Sequence, residues 1–155
     1  MVRSLYMERL PYIDAYGVEV PAGADATWKA LLRVARGSFS GTGEHCVGRL
    51  LGLSPASAQG AWAPDMQPGV ALPGFEVDDV RRGELLSLRG GHRFSRYRLD
   101  FEVVEAGDGR SQVWARTWAE FPGPAGAAYR ALVIGSGGHR VVVRRMLGRV
   151  ARLAA

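Results

Sequence analysis

The residues able to do chemistry in this 155-residue chain are few: three histidines, a single cysteine, and a serine placed close to one of those histidines. Ser136 and His139 are an i, i+3 pair, a spacing that puts both on one face of a helix. An imidazole there can hydrogen-bond a polar ligand group or exchange protons near neutrality. The plainer role is a histidine satisfied inside a packed core. A serine nucleophile is disfavoured, because no acidic residue follows Glu120 to orient the histidine and the surroundings are not a G-x-S-x-G elbow. Gly135-Ser136-Gly137-Gly138 also lacks the spacing and the Lys-Ser/Thr of a phosphate loop. His92 follows Gly90-Gly91 at the start of a strand, where capping the turn is its expected work. His45, beside Cys46 and Glu44, has no further ligand at zinc spacing, so neither a metal nor a cofactor is expected. Trp114 and Trp118 share a strand face with Arg116. They form either a stacking platform for bases or ordinary cross-strand packing, and packing is the reading taken here.

Charge is unevenly spread over the chain. Its net charge is +5. Arg130, Arg140, Arg144, Arg145, Arg149 and Arg152 follow Glu120 with no acid among them, so this tail carries +6 and the rest about −1. Such a tail can touch phosphates or lipid head groups. Lys29 is the only lysine, and a chain-wide arginine preference weakens a nucleic-acid reading; a core-packed helix with a wet arginine face is expected instead. The length suits one domain with a real core. A 47% hydrophobic share argues against disorder. The lone Cys46 excludes an intrachain disulfide scaffold. Residues 1–11 lack the continuous apolar run of a signal peptide, and no stretch is long and apolar enough for a transmembrane segment. A cytoplasmic protein is expected, and a homo-oligomer is compatible with the sequence.

The elements that must position these groups follow from periodicity. Residues 12–20 mix β-branched and aromatic types and predict a strand. Asp25 is expected to cap a helix with Trp28, Leu31, Leu32 and Ala35 on one face, ended by Gly37. Val47, Leu50 and Leu51 predict a second short helix over 44–51. Residues 54–74 are rich in Pro, Ala and Gly and predict a long irregular stretch, a gate over a cavity or a surface insertion. A meander follows, with strands at 75–80, 84–89, 94–105 and 111–121, a turn at Gly90-Gly91 and a hairpin at Gly107-Asp108-Gly109. In the third of these strands Tyr97, Leu99, Phe101 and Val103 share one face; in the fourth, Val113, Ala115, Thr117, Ala119 and Phe121 do. Phe94 and Tyr97 have opposite parity, which calls for a bulge or leaves one of them in solvent. Over 125–153, Tyr129, Leu132, Ser136, His139, Val142, Val143, Met146, Leu147, Val150 and Leu153 gather on one helical arc, with all six arginines outside it. The glycines at 135–138 oppose a helix. Because the arc keeps its phase across them, one helix, straight or kinked, is the expectation.

This order of elements resembles the START-like (SRPBCC) superfamily, which includes polyketide cyclase/dehydrase and lipid-transfer branches, and within it a bacterial branch. The resemblance is carried by Gly91-His92-Arg93-Phe94-Ser95-Arg96-Tyr97-Arg98-Leu99, by Thr117-Trp118-Ala119-Glu120-Phe121-Pro122-Gly123, and by Tyr129-Arg130-Ala131-Leu132-Val133-Ile134 with His139 and Arg144-Arg145-Met146-Leu147. Asp25 to Leu32 resembles the first helix of that superfamily. The resemblance implies an α+β helix-grip fold in which a curved antiparallel sheet wraps a long C-terminal helix and an apolar ligand lies between them. Ala115, Thr117 and Ala119 face small residues around Ser136, which leaves tight packing or room for such a ligand. The expected lining is Tyr97, Leu99, Phe101, Thr117, Tyr129, Leu132, Ser136, His139 and Val143, and the expected partner is a small apolar or amphipathic molecule. Two other functions stay open: a cyclase or dehydratase using the same pocket, and an anionic partner bound by the arginine-rich helix.

Overall fold

The computed structural model describes residues 10–39, 67–72 and 74–155. The chain opens with β1 (Tyr12–Val20), where alternate residues Tyr16, Val18 and Val20 turn toward the core. Helix α1 (Ala24–Phe39) follows. Its first turn is held by Glu105, whose carboxylate accepts from the Ala24 N–H at 2.9 Å. Asp25 pairs with Lys29 at 2.7 Å on the helix surface and is not the cap. The helix also runs through Gly37. Below this start Thr27 and Ser111, both fully buried, join hydroxyls at 2.7 Å, and Ser111 donates to the Ala22 carbonyl at 2.8 Å. The expected helix at 44–51 and most of the 54–74 stretch lie outside the described residues, as does the His45-Cys46-Glu44 group.

A short β2 (Ala71–Leu72) leads into the meander β3 (Phe75–Arg81), β4 (Leu85–His92), β5 (Ser95–Gly107) and β6 (Arg110–Glu120). All pairings are antiparallel and the sheet order is β1-β6-β5-β4-β3-β2. The hairpin between β5 and β6 is the expected one: Gly107, Asp108 and Gly109 all take positive φ, which glycine and aspartate tolerate best. Gly90 and Gly91 do not turn. They continue β4, and a Cβ on Gly90 would run into the Gly74 carbonyl. The turn falls three residues later, at Arg93 and Phe94, so Phe94 sits outside the strand and its parity conflict with Tyr97 disappears.

One face of this sheet is apolar and one is charged, as the alternation of β5 and β6 requires. On the apolar face Leu86, Leu88, Leu99, Phe101, Val103, Val113 and Ala115 join Leu31 and Val34 of α1 in a single core. On the charged face Arg98 grips Asp100 through two bonds of 2.8 Å while Ser87 donates to the same carboxylate at 2.6 Å. The bidentate bond to Asp100 raises the Arg98 pKa. Trp118 meets the Arg98 guanidinium and the Tyr12 ring, and Trp114 meets Arg116. Both tryptophans are thus engaged by their own sheet neighbours.

The C-terminal segment departs from one continuous helix. Helix α2 (Gly123–Arg130) passes into a π-helical turn at Ala131–Gly135, the chain breaks at Gly137, and α3 (Gly138–Ala154) starts afresh. Gly137 has φ +79°, a left-handed conformation that ends the preceding turn and costs glycine little. Helix α3 then buries Val143, Met146, Leu147 and Val150 against α1 and the inner face of β1 and β6. Each such side chain contributes roughly 2 kcal/mol by leaving water.

Two substitutions test this packing by urea unfolding. Phe101→Ala removes a fully buried ring and is expected to cost about 3–5 kcal/mol. Gly17→Ala places a Cβ 2.8 Å from the Trp114 ring on the charged face and is expected to destabilise by about 1–3 kcal/mol through overpacking.

Candidate ligand-binding site

The inner face of the sheet is sealed at one end and progressively less so toward the other. Phe101 stands across from Leu86 and Ala115, and all three are fully buried. In the adjacent row Leu99 stands between Leu88 and Thr117, with Leu99 at 7% and Thr117 at 5% exposure. Beyond it Tyr97 pairs with Ala119 and Gly90, and Tyr97 is only half-buried. The core cluster draws on α3 only from Val143 onward, so the cover thins where the chain approaches the break at Gly137. His139 stands at that boundary, one turn before Val143.

His139 is largely buried, and its Nε2 lies 3.1 Å from Thr117 Oγ1 and 3.3 Å from Asp14 Oδ1. Asp14 and Thr117 are cross-strand partners of β1 and β6, so their side chains reach the helix from the same patch of sheet. Tyr16, two residues along β1, has its pKa raised, first by burial and then by the Asp14 carboxylate, against the opposing pull of Arg140 and Arg144. The Arg144 guanidinium lies 5.5 Å above the Tyr16 ring. The site therefore contains a carboxylate for His139, supplied by the first strand. Periodicity at the C-terminus could not reveal it; the usable signal was an acidic residue on the inner parity of β1, in line with Tyr16, Val18 and Val20.

An aromatic group gathers at the Tyr97 end. His92 meets Tyr129 at 4.5 Å and Tyr97 at 6.0 Å between ring centroids, while Phe94 stacks on Tyr129 at 5.8 Å and Phe121 lies 6.3 Å away. His92 does cap its turn: Nδ1 accepts from the Phe94 N–H at 3.0 Å, and Nε2 reaches Ser95 Oγ at 3.0 Å. Burial lowers the His92 pKa. The Tyr97 hydroxyl donates to the Gly74 carbonyl at 2.7 Å, and burial pushes its pKa well above the ordinary phenol value.

Of the nine residues expected to line the site, Leu99, Thr117 and His139 come together, and Val143 follows on the helix. Tyr97 and Tyr129 meet through His92 at the rim. Phe101 lies deep in the sealed end. Leu132 and Ser136 do not belong. The π turn holds more residues per turn than an α-helix and shifts the phase, so Leu132 points outward at 70% exposure while Val133 and Ile134 take partly buried positions. Ser136 is exposed at the helix break, where its hydroxyl donates to the Leu132 carbonyl and accepts from the Gly138 N–H. Val142 and Leu153 also leave the expected arc, at 58% and 53% exposure. Among the described residues no group of three or more His, Cys, Asp or Glu is placed to hold a metal. Among them, too, no helix is long and apolar enough to cross a membrane.

The strand–helix–meander–helix order and the helix seated on the inner face of an antiparallel sheet are those of a helix-grip fold. No protein-family model and no curated protein sequence matches the chain. Solved structures do. The Zhui aromatase/cyclase from Streptomyces sp. R1128 aligns over 94% of this chain and 94% of its own, with 11% identity and a TM-score of 0.58. Norcoclaurine synthase from Thalictrum flavum aligns over 92% of this chain and 87% of its own, with 14% identity and a TM-score of 0.56. The chain spans 45% of the length of DynU16, from the dynemicin biosynthetic locus, at 18% identity and a TM-score of 0.49 over 89% of this chain. At these identities the likeness defines the fold and leaves the activity to the residues of the site.

The lowered pKa of His92 has a consequence for stability. Unfolded, the ring titrates at its ordinary value of 6.5; folded, it holds its proton less firmly. Its contribution is therefore complete above the unfolded value and is lost as pH falls through the lower folded value. Urea midpoints measured from about pH 7.5 down to about pH 5 are expected to fall. In His92→Asn, which keeps an acceptor for the Phe94 N–H, that fall is expected to be shallower.

Proposed function

We propose that the protein binds a small, largely apolar molecule between the inner face of the sheet and the C-terminal helix, acting in the cytoplasm as a carrier or sensor. The observation behind this reading is the loss of cover along the inner face, from fully buried Phe101 to Tyr97 and Gly90, which are partly exposed while Ala119 beside Tyr97 stays buried. It ends beside a polar trio, Asp14, Thr117 and His139, next to the apolar core. Ligand sites have this composition: apolar area supplies affinity, and a few placed polar groups set orientation. Leu99, Ala119 and Val143 would contact the guest's apolar body, with Tyr97 and Tyr129 at the rim.

A second reading, a polyketide cyclase or dehydratase type of enzyme, is supported by the convergence of the same trio. Proton transfer needs a base held in place by a partner, and His139 with Asp14 meets that requirement. Sharing a fold with the Zhui aromatase/cyclase makes a polyketide a reasonable first substrate class to try.

Two measurements separate these readings. Native mass spectrometry of the purified chain is expected to show a co-purifying small molecule, and the neutral probe N-phenyl-1-naphthylamine is expected to bind with little dependence on salt. A carrier keeps most of its affinity in His139→Ala, whereas the enzyme loses turnover. No bound molecule and no probe binding would end the ligand-binding reading. Binding confined to anionic ligands and falling steeply with salt would move the function to the arginine face of α3.

A further inference from the structure

We propose that Asp14 is a positioning residue that fixes the protonation pattern of His139, so that the site selects guests carrying an acidic O–H or N–H, such as a phenol or an enol. For its guest this rests on the ligand-binding reading above; for the histidine it stands alone. Asp14 Oδ1 and Thr117 Oγ1 both approach Nε2, and neither touches Nδ1. A carboxylate oxygen can only accept and a hydroxyl oxygen can accept too, so both contacts are satisfied together only when Nε2 carries the hydrogen. A neutral imidazole has one N–H, which leaves the lone pair on Nδ1. The two nitrogens lie on opposite sides of the ring. With Nε2 turned onto β1 and β6, Nδ1 turns away from them, and a guest that meets it must be the donor.

The surroundings fit a placed acceptor better than a purely structural contact. The neighbouring inner positions are Tyr16, which hydrogen-bonds Asp14, and the apolar Val18, Val20, Val113 and Ala115. A carboxylate among them costs desolvation that an aliphatic side chain would avoid. The charged groups nearby come from α3: Arg140 and Arg144 act on Tyr16, the inner neighbour of Asp14. Asp14 therefore has two side-chain partners, His139 and Tyr16.

The test pairs a spectrum with a binding ratio. Two-bond proton–nitrogen correlation spectra of the ligand-free protein, taken at about pH 8.5 to keep imidazole neutral, are expected to show His139 protonated at Nε2. In Asp14→Asn the hydrogen is expected to shift toward Nδ1. Titration with 2-naphthol and 2-methoxynaphthalene, which share a ring system and differ in the donor, is expected to favour 2-naphthol by about tenfold, the scale of one good hydrogen bond. Asp14→Asn and His139→Ala are expected to bring that ratio to about one and to lose none of the fold by circular dichroism; Asp14→Glu is expected to restore part of the preference. A wild-type spectrum with hydrogen on Nδ1 overturns the proposal without any binding data. Equal affinities for the two compounds overturn the selectivity alone, and binding of neither compound overturns it together with the ligand-binding reading.

Discussion

Val143, Met146, Leu147 and Val150 recur on one side of α3 and can leave water together only by lying against another apolar surface. The inner face of β1 and β6, flanked by α1, is that surface. The rest of the arrangement follows from this contact. It sets which way the helix is turned, and so puts the arginines outside and His139 inside. It also fixes the end at which the sheet is sealed, because the apolar stripe begins at Val143 and runs toward the C-terminus. Upstream of it the chain has a histidine, a left-handed glycine and a π turn, which pack less densely over the sheet.

The polar trio is a consequence of the same burial. An imidazole carried inward by the helix must keep hydrogen-bond partners or lose more than packing returns. Asp14 and Thr117 supply them from two adjacent strands. The arrangement therefore couples the ends of the chain: the first strand and the last helix meet at His139, with Tyr16 and Arg144 stacked beside them. Two paired strands hold the two oxygens, and the mostly exposed residues 131–138 precede the ring on the helix side.

Much of the architecture was legible because alternation is a strong signal. Tyr12–Val20 was read with its observed bounds, and the inner faces of β5 and β6 were assigned residue by residue. The helix break was harder. The glycines at 135–138 marked it, but the apolar arc seemed to continue in phase only because Leu132, Val142 and Leu153 were counted as inward. A π turn upsets that counting by adding a residue without changing the composition. Asp14 and Glu105 were missed for a different reason. Each acts on a residue far along the chain, 125 positions away for Asp14 and His139 and 81 for Glu105 and Ala24, and no periodicity reports such a pairing.

The central claim is that a guest enters over the less covered end of the inner face. Methyl-resolved NMR during titration with an apolar naphthalene probe tests it most directly. Shifts are expected at Leu99, Thr117, Ala119 and Val143, with Leu86 and Val113 at the sealed end nearly unmoved. Shifts confined to Leu132, Val141 and Val142 on the outside would contradict the account, as would a spectrum that saturating probe leaves unchanged.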